Sequence, residues 1–160
     1  MSAEVYVFGV IADTHGLLRP EVAELFAGVH LILHAGDVGG RSVLDGLSAV
    51  ARVEAVCGNV DDPHDPALAR ERTVSAGGLT IHVSHGHELG HPTAELALAR
   101  YAADVVIFGH THRGTVVRGR DGRLALNPGA AGPRRFDLRP SVARLTIANG
   151  AADAEIISLA

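Results

Sequence analysis

Apolar, β-branched runs alternate with amphipathic stretches through the first 112 residues, and five of those runs end within a few residues of an Asp, His or Asn. Val5–Ala12 leads into Asp13-Thr14-His15, Leu31–Gly36 into Asp37, and Val53–Gly58 into Asn59. Thr80–Ser84 leads into His85-Gly86-His87, and Val105–Gly109 into His110-Thr111-His112. Short apolar runs rich in Val and Ile and bounded by Gly and polar residues predict strands. Between them, Pro20–Ala27, Ser42–Val50, Pro66–Arg72 and Pro92–Ala103 have helical character. Pro20, followed by Glu21 and Glu24, suits a first helical turn, and Thr93 opens a segment of strong helix formers. Strand and helix in alternation predict βαβ units and a largely parallel sheet. Residues just past the carboxyl ends of parallel strands gather in one crevice, so these five endings are expected to be neighbours.

Beyond residue 113 the helical stretches stop. Thr115–Arg118 and Arg123–Leu126 flank Gly119-Arg-Asp-Gly122 and predict a β-hairpin, because Asp-Gly favours turns that match strand twist. Ser141–Ala148 and Ala154–Leu159 flank Asn149-Gly150 and predict a second antiparallel pair. Lacking crossover helices, these strands are expected to form a second sheet packed on the first. With no internal repeat or linker, residues 1–160 are expected to form a single domain.

Composition narrows the function classes. The chain is 47% hydrophobic and 20% charged, enough for a core without disulfides, and Cys57 is the only cysteine. That excludes a Cys-clustered zinc or iron–sulfur site, and buried packing is the expected role of the thiol. No apolar stretch is long enough to span a bilayer, and the N-terminus lacks the order of a signal peptide, so a cytoplasmic location is expected. A net charge of −4 gives no reason to expect membrane or nucleic acid as partner, and with no Trp and 4% aromatic residues there is no stacking platform for single strands. Charge is uneven, however. Residues 1–112 carry a net −8 and residues 113–144 a net +6, all of the basic residues being Arg. No glycine pattern meets the P-loop or dinucleotide fingerprint.

The endings offer carboxylate, imidazole and amide oxygen without thiolate. That donor set suits Mn²⁺, Fe²⁺, Zn²⁺, Co²⁺ or Ni²⁺. In an extended chain, side chains two apart share a face, so Asp13 with His15, and His110 with His112, are expected to frame a site jointly. Taken singly, Asp37 could cap a helix, Asn59 could be a turn residue and His85 a core histidine. His34 is expected behind the ligands or in the core, His82 in the core or at a partner contact, and His30, His64 and His91 at the surface.

Together, Gly9-Val-Ile-Ala-Asp13-Thr-His15-Gly, Gly36-Asp37-Val, Gly58-Asn59-Val60-Asp61, His85-Gly86-His87 and Gly109-His110-Thr-His112 resemble the five ordered motifs of the calcineurin-like metallophosphoesterases. The length and Asn127-Pro128-Gly129 resemble the small single-domain branch, which includes bacterial and archaeal phosphodiesterases and the retromer scaffold subunit. The resemblance implies an α/β fold of two stacked mixed β-sheets flanked by helices. It also implies two divalent ions, Mn²⁺ first among them. Asp13, His15, Asp37 and His112 would surround one; Asp37 would bridge to the other, completed by Asn59, His85 and His110. Such a pair lowers the pKa of a bridging water and stabilises attacking and leaving oxygens of an in-line displacement. Asn59 and His87 are the expected catalytic contacts, with His87 alternatively a loop histidine bonded to backbone. Arg134, Arg135 and Arg113 are candidates for a phosphate oxygen, or a solvated face. Many relatives carry His where this chain has Val60, a residue that cannot transfer a proton. The expected substrate is a small phosphate ester, a diester before a monoester; the competing reading is a non-catalytic protein scaffold on the same fold. An antiparallel edge could support a homo-oligomer.

Overall fold

The computed structural model describes residues 4–135 and 137–159. Eleven strands form two sheets. The first has the order β11-β10-β1-β2-β3-β4, where β1 is Val5–Ile11, β2 Leu31–His34, β3 Val53–Val56, β4 Leu68–Ala69, β10 Ser141–Ala148 and β11 Ala151–Ser158. The second has the order β5-β6-β7-β9-β8, where β5 is Glu71–Ala76, β6 Leu79–Ser84, β7 Val105–Ile107, β8 Thr115–Arg118 and β9 Leu124–Asn127. Both are mixed: β1 through β4 run parallel while β10 and β11 return antiparallel, and β6, β7 and β9 run parallel between antiparallel edges.

Alternation along the strands sorts side chains into layers. On β1, Phe8 and Val10 point toward the second sheet and meet Ile81, Val105, Ile107, Leu124 and Leu126, with Leu145 and Ile147 of β10 completing that core. Ile11 points the other way, to α1 (Glu21–Leu25) and α2 (Arg41–Ser48), where Val22, Phe26, Val43 and Leu47 are buried. The Phe26 ring lies against Gly9, where a Cβ would come within 2.7 Å of it. Burying this ring is worth about 3–5 kcal/mol by the usual cost of Phe→Ala in a core. Across the molecule, α3 (Ala94–Arg100) packs Ala94 and Ala97 on Val106, Phe108 and Ala125 of the second sheet. Thr93 caps it, its hydroxyl accepting from the Leu96 amide at 3.2 Å. The layering is therefore helix, sheet, sheet, helix, as expected. Among the described residues no helix is long and apolar enough to cross a membrane.

Two expectations fail. Pro66–Arg72 is not a helix. Leu68 and Ala69 pair with Ala55 and Val56, and the next strand begins at Glu71. Arg72 donates to the carbonyls of Ala55 and Ala67, and the Asp65 carboxylate accepts from the Ala67 amide, so ladder and side-chain bonds override helix propensity. Nor do the strands beyond residue 113 form a sheet of their own. β8 and β9 extend the second sheet beside β7, whereas β10 and β11 cover the free edge of β1. Apolar residues on β10 fill the gap between the sheets, which separate packing would leave open. The five endings consequently come from both sheets, β1, β2 and β3 from the first and β6 and β7 from the second.

Candidate metal centre

The loops after β1 and β2 continue the strand ladder past its end. The amides of Asp13, His15 and Gly16 donate to the carbonyls of Gly36, Asp37 and Val38 at 2.9–3.0 Å. This extension is not extended backbone. Asp13, His15, Asp37, His110 and His112 all have φ between 45° and 74°, and Asn149 is the sole other non-glycine residue with positive φ among the described residues. Each such residue costs on the order of 1 kcal/mol or more, and strain of this kind persists only where surrounding bonds enforce it. Asp13 and His15 thus do meet, at 3.9 Å, whereas His110 and His112 turn into different groups; left-handed turns rather than the extended pleat expected from sequence set both arrangements.

The side chains converge in two groups, Asp13 with His15 and His112, and Asp37 with His85 and His110, each with its ligand-type atoms within 4.8 Å of one another. The groups adjoin. Nε2 of His85 lies 3.3 Å from Asp37 Oδ2 and 3.8 Å from Asp13 Oδ1, and Nε2 of His15 lies 3.6 Å from Asp37 Oδ2. His112 Nε2 is 3.6 Å from Asp13 Oδ1. Asn59 Oδ1 reaches within 3.0 Å of His85 Nε2.

Tautomer chemistry tests whether cations fit here. Nδ1 of His85 lies 2.8 Å from the Ala35 carbonyl, which can only accept, so the proton of the neutral ring sits on Nδ1. With the ring neutral, Nε2 presents a lone pair toward Asn59 Oδ1 and Asp37 Oδ2, and the contact is satisfied only by a second ring proton or by a cation. Asp13 Oδ1 and His15 Nε2 are buried without a hydrogen-bond partner. A divalent cation satisfies all of these atoms at once, and imidazole, carboxylate and amide oxygen are ordinary donors for one.

In the protein alone, burial sets the charge of some of these groups and pairing sets that of others. Asp13 is fully buried, and desolvation pushes its carboxyl up to about 7 against the pull of His85. Burial also tends to raise Asp37, but its bond with His85, the Val60 amide and the charges of His85 and His15 outweigh it and hold the group at about 2. For His85, burial is outweighed by the bond to Asp37 and the charge of Asp13, and its pKa rises. Burial lowers His15 and His110, and takes His112 down to about 4 with help from the Arg135 charge.

Behind these groups lies a set of fixed hydrogen bonds. The Gly36 amide donates to Nδ1 of buried His34 at 3.1 Å, so the ring proton is on Nε2 and goes to Thr14 Oγ1 at 3.0 Å; the Thr14 hydroxyl in turn donates to the Val38 carbonyl at 2.7 Å. His34 is therefore a tie between two loops, as its expected place behind the ligands required. Asp61 closes the Gly58-Asn59-Val60-Asp61 motif and had no expected role of its own. Its carboxylate accepts from the amides of Val38, Gly39 and Gly58 at 2.9–3.1 Å and holds the β2 and β3 endings together. The reach back to Gly58 is a local turn pattern that sequence could have suggested; the reach to Val38 is not. Val60 keeps an exposed side chain while its amide donates to Asp37 Oδ1 at 3.0 Å. Space is as tight as the bonding. A Cβ on Gly58 would fall 2.1 Å from Asp37 Oδ1, and one on Gly36 would fall 2.7 Å from His85 Nδ1.

The rim residues separate. His87 opens a short 3₁₀ turn, His87–Leu89, with its ring 5.3 Å from that of His85 and 6.3 Å from that of His110. Arg135 bridges to Leu138, and its charge is felt at Asp13, His15 and His112. Arg134 is exposed on the same turn, whereas Arg113 lines a different cavity with Pro92, Phe108 and Thr115. His30 accepts from the Val7 amide at the surface, and His82 stacks on Tyr101 with centroids 3.9 Å apart, both away from the ligand cluster. His64 and His91 are exposed, and Cys57 is half-buried rather than fully packed.

Known proteins share both sequence and fold. The model of the calcineurin-like phosphoesterase superfamily domain matches residues 7–150. A probable metallophosphoesterase of Methanothermobacter thermautotrophicus is 38% identical, over 94% of this chain and 91% of the relative. The probable metallophosphoesterase YsnB of Bacillus subtilis is 34% identical over 89% of this chain and 85% of its own. Vacuolar protein sorting 29 from Cryptosporidium parvum superposes with a TM-score of 0.79 at 21% identity, covering 98% of both chains. Wild-type Vps29 of Entamoeba histolytica complexed with Zn²⁺ superposes with a TM-score of 0.74 at 26% identity, covering 95% of this chain and 98% of that one. Ordered motifs, stacked sheets and family match agree, and the chain belongs to the calcineurin-like phosphoesterase superfamily.

Proposed function

We propose that the protein is a hydrolase of phosphodiesters that works with two divalent ions, Mn²⁺ foremost, held by Asp13, His15, Asp37, Asn59, His85, His110 and His112. The observation that carries this reading is the convergence of Asn59 Oδ1, His85 Nε2 and Asp37 Oδ2 beside a second group in which Asp13 Oδ1 and His15 Nε2 are buried without a hydrogen-bond partner. When bound, two such ions supply an activated water as nucleophile and positive charge for the oxygens of an in-line displacement. Asp37 lies between the groups and serves both. Ala35 and Asp61 fix His85 and the β2 and β3 endings, so no ligand must reorient during turnover. Asn59 and His87 face the side where an ester oxygen would sit, and Arg135 offers a guanidinium to a non-bridging oxygen on the other. Val60 provides no leaving-group acid, which favours esters of acidic alcohols and phenols.

A scaffold on this fold is the competing reading, and metal binding alone does not separate the two. Retention of all seven ligand types in contact favours chemistry. Purified protein loaded with Mn²⁺, Ni²⁺, Zn²⁺ or Mg²⁺ should hydrolyse bis(p-nitrophenyl) phosphate faster than p-nitrophenyl phosphate. Asp37→Ala should lower that rate by about a hundredfold or more, several kcal/mol of lost charge stabilisation. Absence of turnover with every ion, or unchanged turnover in Asp37→Ala, would refute the proposal.

A further inference from the structure

The segment expected to be a helix is where the chain steps from the first sheet to the second. Ala69 ends β4, Glu71 begins β5, and Arg70 alone lies between. Its backbone is pinned on both sides. The Cys57 amide donates to the Ala69 carbonyl at 2.7 Å, and Glu71 is in register with Ser84. Cys57 is two residues from Asn59 and Ser84 adjoins His85, so the backbone at Arg70 is fixed against two strand endings, one from each sheet.

Arg70 also lines a cleft of about 500 Å³ that opens from Asn59 and His87 and is walled by Cys57, Pro63 and Leu68. That volume suits a substituent of nucleoside size, and walls of this kind suit its organic body. Among the described residues the Arg70 guanidinium makes no ion pair or hydrogen bond, whereas Arg72 is committed to the carbonyls of Ala55 and Ala67. The two carboxylates in the cleft have partners of their own. Asp61 is occupied by three backbone amides, and Glu88 takes the Tyr101 hydroxyl. A guanidinium without an ion pair, on an anchored backbone at the mouth of this cleft, suits bidentate recognition of a second anion.

We infer that this cleft receives one ester arm of the substrate, and that Arg70 selects an arm bearing an anionic group of its own, such as a second phosphate. The inference rests on the phosphodiesterase reading above. It is tested with thymidine 5′-(p-nitrophenyl phosphate) with and without a 3′-phosphate, two substrates with the same scissile bond and leaving group. The metal-loaded protein should show a KM about fivefold to tenfold lower for the 3′-phosphorylated substrate, at similar kcat, a preference that shrinks as salt is raised. Arg70→Ala should bring the two KM values together, and Arg70→Lys should retain part of the difference. Calorimetric binding of thymidine 3′,5′-bisphosphate against thymidine 5′-monophosphate should show the same ratio without turnover. Equal affinities, or a preference that survives Arg70→Ala, overturn the inference. Selective binding lost in Arg70→Ala, in a protein that hydrolyses no ester, upholds the anion site and overturns the phosphodiesterase reading alone.

Discussion

Asp13 and Asp37 occupy matching places, each just beyond a parallel strand of the same sheet, each in a left-handed turn, yet their surroundings drive them apart. Asp13 has one oxygen bonded to the His110 amide and the other buried without a partner, and burial takes its pKa up to about 7. Asp37 receives the Val60 amide and faces His85 and His15, and is held at about 2. One strand ending is therefore stable as an anion by itself, while the other leaves a buried oxygen that a cation would satisfy. The contrast separates what the fold requires from what the proposed chemistry requires.

That difference has opposite signs in stability. Between about pH 4 and 7 the folded state holds a proton on Asp13 that the unfolded chain has released, so Asp13 costs stability as pH rises. Asp37 does the reverse; its contribution is present above its unfolded value near 4 and is lost as pH falls toward 2. In metal-stripped protein at pH 8, urea unfolding should find Asp13→Asn more stable than wild type by about 1–3 kcal/mol, and Asp37→Asn less stable by about 2 kcal/mol. Both substitutions should abolish hydrolysis in loaded protein. Changes of the same sign in the two stripped variants would break the comparison.

His34 links the two endings through Gly36 and Thr14 and supplies a finer test. Burial depresses its pKa from 6.5 to about 4, so its neutral form supports the fold fully above 6.5 and that support is lost as pH falls through 6.5 toward 4. The fall in stability of stripped protein from pH 7 to 4.5 should be about 2–3 kcal/mol smaller in His34→Gln than in wild type. An equal fall in both would remove His34 as the acid-sensitive tie. The smallest effect is expected at Val60, whose amide serves Asp37 while its side chain is free. Val60→His should raise the rate for esters with poor leaving groups by about tenfold and leave activated p-nitrophenyl esters little changed. Rates that rise equally for both classes would argue against a missing proton donor.

Much of this was legible in the residues. The apolar runs that end in Asp, His or Asn located the strands and the seven ligand-type side chains, because strand period and terminal glycines are local properties. Which sheet each ending belongs to was not. The β8–β9 and β10–β11 hairpins carry the same kind of local signal, and only the unfilled edges of β7 and β1 decide where β9 and β10 pair. Residues 66–72 misled for a related reason: a two-residue strand and a one-residue crossing are too short for a period, so Ala, Leu and Arg there looked helical. The left-handed turns at five non-glycine ligands escaped as well, since bonds to a neighbouring loop, not propensity, impose them.

The path of the chain between the sheets also orders events in time. Residues 71–127 build the whole second sheet without interruption, whereas the first begins with β1 and is closed only when β10 pairs Val5 with Ala148. Contacts so distant in sequence form slowly because the entropy of closing the intervening loop precedes their reward. During synthesis from the N-terminus, every candidate metal ligand has emerged by His112 while one edge of β1 still waits for its partner. The nascent chain therefore carries an open, apolar strand edge until residues 141–148 are made, an interval in which a chaperone or a neighbouring chain competes with β10 for β1.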